Sequence, residues 1–225
     1  MGKYITNTYQ ITNNYQNIFI DAKDAKVSIE TSDDINTKLI IYEKKKHPYH
    51  YLIQDNELII KPVQTKFFNL IRVGIDHSEI KLSIPKSNYE NIKVNLNVGY
   101  IKINSISCSG TIEIHTNTGS IDLDNISCKD LNSKGNTGSI NLNKFTAEDK
   151  ISIICNTGKV SIDECFCPDI YIKTNTGKVS GKLPSNTMFI THTTTGKIVT
   201  PIPSIGDTIT GRCEIKTNTG SINFE

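Results

Sequence analysis

The chain has 225 residues, room for one large domain or two small ones. Its 25 Lys+Arg against 23 Asp+Glu leave a formal net charge of +2, which excludes a nucleic-acid binder working by bulk charge and an acidic disordered tail. A hydrophobic fraction of 36%, 7% aromatic with no Trp, predicts a core of small aliphatic side chains, and no apolar run approaches the ~18 residues of a membrane span.

Taken in chain order, Met1-Gly2-Lys3-Tyr4 begins no signal peptide, so the sequence alone places the chain in the cytoplasm. Lys26-Val27-Ser28-Ile29-Glu30 and Leu39-Ile40-Ile41-Tyr42 alternate as strands. Lys44-Lys45-Lys46-His47, between Tyr42 and Tyr49, reads as a charged hairpin tip. Tyr51-Leu52-Ile53 and Leu58-Ile59-Ile60 read as a hairpin closed by a turn at Asp55-Asn56. Residues 1–78 are thus expected to form a less regular β region capping one end of a solenoid. Ile80-Lys81-Leu82-Ser83-Ile84-Pro85 then leads into Ile92-Lys93-Val94.

From there glycines mark a period. Gly99, Gly119, Gly138, Gly158, Gly177, Gly196 and Gly220 are separated by 20, 19, 20, 19, 19 and 24 residues. Five close an Asn-Thr-Gly triplet that begins at Asn117, Asn136, Asn156, Asn175 or Asn218. Two residues after each glycine stands an aliphatic residue (Ile101, Ile121, Ile140, Val160, Val179, Ile198, Ile222), and four after it usually another. Apolar positions two apart mean strands with one face buried, and a fixed period near 20 means a solenoid. Asn and Gly accept left-handed backbone at the turn, and only parallel coiling aligns each Asn with the next in a side-chain ladder. The expected fold is all-β: a single-stranded parallel β-helix (β-solenoid) over residues 79–225 with rungs of about 19–20 residues, right-handed on general frequency, continuous with the N-terminal cap.

Chemistry is scarce by comparison. Cys108, Cys128 and Cys167 lie nine residues after their glycines, with Ala147 at the same place between, and Cys165 replaces the apolar residue of Ile106, Ile126 and Phe145. That register suits small core hydrophobes rather than a disulfide scaffold, and Cys165-Phe166-Cys167 has no second ligand pair at zinc spacing. No nucleophile elbow, phosphate loop, zinc-protease or dinucleotide motif is present, so no catalytic residue, cofactor or metal is expected. Asp122, Asp124 and Asp163 point outward; Asp124 and Asp163 share one column, separated by Asn143, at about 9–10 Å by strand spacing, without an aromatic platform for a sugar.

Two basic columns flank the turn. Tyr100, Ser120, Ser139, Lys159, Lys178, Lys197 and Ser221 come directly after the glycines, and Asn95, His115, Lys134, Ile154, Lys173, His192 and Lys216 precede them by four. Lys159, Lys178 and Lys197 in consecutive rungs, with Lys173 and Lys216 beside them, are expected to form a cationic ridge for an anionic polymer or surface. The last interval is longer, with Pro201, Pro203, Gly206 and Gly211 in an extra loop, and the C-terminal rung at Ser221-Ile222-Asn223-Phe224-Glu225 is expected to leave an open edge for self-pairing or strand addition.

Val27-Ser28-Ile29-Glu30-Thr31-Ser32-Asp33-Asp34, then Leu82-Ser83-Ile84-Pro85, then the repeated Thr-Asn-Thr-Gly-Ser/Lys-Ile/Val resemble the bacterial putative-adhesin family, a β-strand-repeat domain of unknown function, over about Ile18 to Glu225. The resemblance implies a β-helical domain of the cell envelope and supplies no catalytic residues. The function expected is a non-enzymatic interaction or scaffold module of that envelope, partnered by an anionic wall polymer or a membrane-associated protein, and not by nucleic acid. The alternatives are a cytoplasmic scaffold that self-assembles or docks on a membrane protein, and a polysaccharide-active β-helix.

Overall fold

Apolar and polar residues alternate through nearly every segment, and the backbone answers with strands. The computed structural model describes residues 3–63, 77–202 and 208–225, all-β and without a helix; Met1, Gly2, Pro203 and Gly206 lie outside them. The strands are β1 (Tyr4–Ile11), β2 (Asn17–Ser32), β3 (Thr37–Lys44), β4 (Tyr49–Gln54), β5 (Glu57–Pro62), β6 (Ser78–Pro85), β7 (Asn88–Tyr89), β8 (Asn91–Cys108), β9 (Thr111–Thr137), β10 (Ile140–Thr157), β11 (Val160–Phe166), β12 (Asp169–Thr176), β13 (Val179–Lys182), β14 (Thr187–Thr195), β15 (Ile198–Val199), β16 (Gly211–Thr219) and β17 (Ile222–Phe224).

Parallel, in-register stacking makes the β-solenoid. β8 lies on β9 with Gly99 opposite Gly119, β9 on β10, and β10 on β11 and β12. The inward column of Ile101, Ile121, Ile140 and Val160 is fully buried, as is that of Ile92, Ile112, Leu131, Ile151 and Ile170. Each such side chain contributes roughly 1.5–3 kcal/mol by leaving water.

The glycine corner is obligatory on two counts. At Gly119 and Gly138, φ is 155° and 139°, and a Cβ on either would sit 1.9 Å from the carbonyl oxygen of the glycine one rung before. A second corner, six residues after the glycine, uses left-handed Ser105, Asn125, Lys144 and Glu164 (φ 50–57°). These are ordinary polar residues, so nothing in the sequence marks them, and what reads as a loose return is a turn into a third face. Ile106, Ile126, Phe145 and Cys165 are buried on that face.

The rungs do not stack in chain order. β16 pairs with β12 on one side and with β14 on the other, and β17 likewise lies between β13 and β15. Gly220 therefore packs on Gly177, and Gly196 on Gly220. Pro184 occupies the position of Ile106, Ile126, Phe145 and Cys165, where it has no N–H to give a third-face ladder. The chain there leaves β13 for β14 one rung further out, and β16–β17 fill the gap. The expectation of an open C-terminal rung is thus corrected: β16–β17 are flanked on both sides, and β14–β15 form the end of the stack.

At the other end the parallel stack already begins at β2, whose Asn17–Glu30 pair in register with Asn91–Asn104 and place Ala25 opposite Gly99. Beyond it β5 and β6 continue in parallel, and antiparallel strands close the end: β4 on β5, β3 on β6, β1 on β3. The β4–β5 hairpin turns through Asp55 and Asn56 (φ 51° and 63°), as the sequence predicts. Lys45 to His47 are not the tip of a hairpin, because β3 and β4 belong to different flanks and do not pair; they form the corner between them. Buried Glu43 ties that corner: Asn7 Nδ2 donates to its Oε1 at 2.9 Å and the Tyr49 N–H to its Oε2 at 2.5 Å. Burial raises the Glu43 pKa above the usual carboxylate range, against the lowering effect of those two donors.

Candidate functional site

The Asn-Thr-Gly corner aligns one asparagine above another, and their amides bond along the stack. Asn117 donates to Asn97 at 3.3 Å, Asn136 to Asn117 at 3.2 Å, Asn156 to Asn136 at 3.0 Å, and Asn218 to Asn175 at 2.5 Å. The last bond joins residues 43 apart and carries the changed rung order into the ladder.

A groove of about 760 Å³ runs along this corner across several rungs. One bank is the asparagine ladder, and the other is the column four residues before each glycine, with His115, Lys134 and Lys173. Leu96, Thr116, Gly135 and Cys155 make the floor, and Lys23 and Asp21 stand at the β2 end. The floor lacks a side chain at Gly135, where a Cβ would find only van der Waals neighbours at 3.6 to 3.9 Å. The buried Thr116 hydroxyl on that floor has no hydrogen-bond partner among the described residues. Lys23, Lys134 and Lys173 form no ion pair among the described residues either, so the groove carries three uncompensated ammonium groups against one carboxylate, Asp21. Lys134 and Lys173 are two rungs apart, about 9–10 Å at sheet spacing.

The lysines that the sequence points to separate. Lys173 lines the groove. Lys159, Lys178 and Lys197 are exposed on the far side of the corner, after the glycine, and do not line it. They do not occupy three consecutive rungs: Ser221 stands between Lys178 and Lys197, because Val179 pairs with Ile222 and Ile198 pairs with that same Ile222. Lys216 is occupied. Its Nζ lies 2.5 Å from Glu214 Oε1 and 5.8 Å from the centre of the Tyr171 ring, and the Glu214 contact raises its pKa. Lys23 and Gly135 carry no signal in the sequence; their place in the groove comes from the β2 rung and from a missing side chain, neither of which repeats.

The carboxylate column is structural. Asp124, Asn143 and Asp163 are consecutive in register, and Asn143 Nδ2 donates to Asp124 Oδ1 at 2.6 Å, filling the space a reacting water would need. Tyr100 hydroxyl donates to Asp122 in the same manner, and burial with that carboxylate pushes the Tyr100 pKa up to about 12. The six cysteines are free thiols, five of them buried and Cys167 half-buried. Burial pushes Cys165 up to about 12 and Cys167 up to about 11, and raises Cys108, Cys128, Cys155 and Cys213 too, so none is a nucleophilic thiolate near neutrality.

A family model described as Toastrack DUF4097 matches residues 15–225. Among solved structures, a putative adhesin from Bacteroides fragilis is similar with a TM-score of 0.54 at 15% identity, over 99% of this chain and 97% of that one. A putative adhesin from Parabacteroides distasonis is similar with a TM-score of 0.48 at 14% identity, over 100% and 98% of the two chains. A putative lipid binding protein from the same organism reaches 0.41 at 12% identity, over 100% and 97%. No curated protein matches the chain. At these identities the likeness to the Bacteroides fragilis protein shows a shared fold.

Proposed function

The chain belongs to the Toastrack DUF4097 family, and on that premise we propose that it is a non-enzymatic, adhesin-like interaction module of the bacterial cell envelope whose corner groove holds an anionic polymer. The observation that carries this reading is the pairing of two banks along one groove: lysines without carboxylate partners on one side, a column of asparagines, hydrogen-bonded from Asn97 to Asn156, on the other. Ammonium groups attract the charge of such a polymer, and amides spaced by the rung repeat offer it both donors and acceptors. Lys159, Lys178 and Lys197 extend the positive edge beyond the corner, and Lys216, held by Glu214, adds less. The name of the Bacteroides fragilis neighbour agrees with an adhesive role. Among the described residues no helix is long and apolar enough to cross a membrane.

The test is binding of the purified chain to isolated anionic wall polymers and to anionic lipid vesicles over a series of salt concentrations. Binding to the polymer that weakens as salt rises, and is lost in the Lys134→Gln/Lys173→Gln variant, is the expected result. A Lys159→Gln/Lys178→Gln/Lys197→Gln variant is expected to lose less. Unchanged binding in the Lys134/Lys173 variant would remove the groove from the interaction, and absence of polymer binding at low salt would overturn the reading.

A further inference from the structure

The rung at the end of the stack is unlike every rung beneath it. Where Asp169, Tyr171 and Lys173 lie on Arg212, Glu214 and Lys216, the next rung out presents Met188, Ile190 and His192 at those outward positions. Met188 and Ile190 are 42% and 43% exposed. Thr187–Thr195 reads TMFITHTTT, nine residues without an acid, a lysine or an arginine. Edge strands are usually protected by just such charges, by proline or by a covering strand. At the opposite end the fold supplies the cover, with β3 laid antiparallel on β6 and β1 on β3. Among the described residues no strand pairs with the outer side of β14 or β15.

The orientation of the open groups is set by one bond. The Asn186 carbonyl accepts the Thr210 N–H at 3.3 Å, so residues of that parity before the corner turn their backbone to β16. Met188, Ile190 and His192 therefore face β16, and Phe189 and Thr191 direct their N–H and C=O groups to the open side. We propose that this edge pairs with the same strand of a second copy of the chain, antiparallel, about a two-fold axis through Ile190. In that register Ile190 faces Ile190 of the other copy and Met188 faces His192, in the closer pairs that exchange no backbone hydrogen bonds. Phe189 meets Thr191 on the inner face, in pairs that exchange both backbone hydrogen bonds, and the two cores become continuous. The strand is its own complement because it carries no charge to oppose itself across the axis, whereas a charged peptide would find no counter-charge on it.

Light scattering on the eluting full-length chain tests this. The wild-type protein is expected to run at twice the chain mass, and Ile190→Lys and Ile190→Glu each at the single-chain mass, with unchanged circular dichroism showing that the fold persists. Mixing the two variants is expected to restore the double mass, because the axis places lysine against glutamate. A wild-type chain that stays monomeric across a wide concentration range would overturn the proposal. So would a double mass retained by both folded single variants, or no recovery on mixing.

Discussion

Gly138 and Gly135 lie three residues apart and answer to opposite constraints. At Gly138 the backbone takes φ 139° and the Gly119 oxygen lies 1.9 Å from any added Cβ. Gly138→Ala is expected to cost roughly 2–4 kcal/mol, since both strain and overpacking act and backbone has to shift to relieve them. Gly135 has no such φ, and its would-be Cβ has ordinary neighbours, so Gly135→Ala is expected to stabilise by about 0.4–1 kcal/mol through the unfolded chain. Urea midpoints of the two variants against wild type check both signs. The first glycine is visible in the sequence because it recurs with Asn-Thr before it. The left-handed corner at Ser105, Asn125, Lys144 and Glu164 recurs as faithfully in space, but four different residue types hold it, and periodicity of residue identity does not reveal it.

Elements are legible wherever the coil repeats itself and obscure where it departs from the repeat. Ile18, Ile20, Val27 and Ile29 of β2 copy the inward pattern of Ile92, Val94, Ile101 and Ile103, yet Ala25 stands where the glycine would announce a rung. The exchange of the last two rungs is less accessible still. Intervals of 19 and 24 between glycines suit sequential stacking with a longer loop just as well, and only the pairing partners distinguish the two arrangements. That exchange raises the stakes for β17. Phe224 is 2% exposed and its ring centre lies 5.0 Å from that of Phe189, so it holds the outermost rung as well as its own. Phe224→Ala is expected to cost about 3–5 kcal/mol and to lower the denaturant midpoint accordingly, where a side chain on an open last rung would cost far less. Of the groove, the sequence shows Lys173, Lys134 and the asparagines as columns, but not that the corner folds them into facing banks.

Across the whole molecule, buried thiols and phenols resist ionisation. Tyr15 and Tyr100 are raised from 10.0 to about 12, Cys165 from 9.0 to about 12 and Cys167 to about 11, each chiefly by burial. The unfolded chain loses these protons first as pH rises, so between about pH 9 and 12 it binds fewer protons than the folded chain and stability falls with increasing pH. The contribution is intact below about pH 9, the ordinary thiol value, and lost as pH passes the folded values. Urea midpoints at about pH 8 and about pH 10 are expected to differ, the second being lower; equal midpoints would contradict the burial of these groups.

Synthesis runs in one direction, and the rung order does not follow it. A growing chain completes each coil from β8 to β13 on a partner already made. β14 then emerges with no finished neighbour, because the strand it binds, Gly211–Thr219, has yet to leave the ribosome. β14, which carries no acid, lysine or arginine, is therefore without a partner on either side until that strand is made. Assembly finishes by insertion of a late strand between two earlier ones, so the chain cannot mature rung by rung to its end. Nascent chains halted before Phe224 would expose Thr187–Thr195 to proteases and chaperones, which lose their hold once the missing strands slide into place.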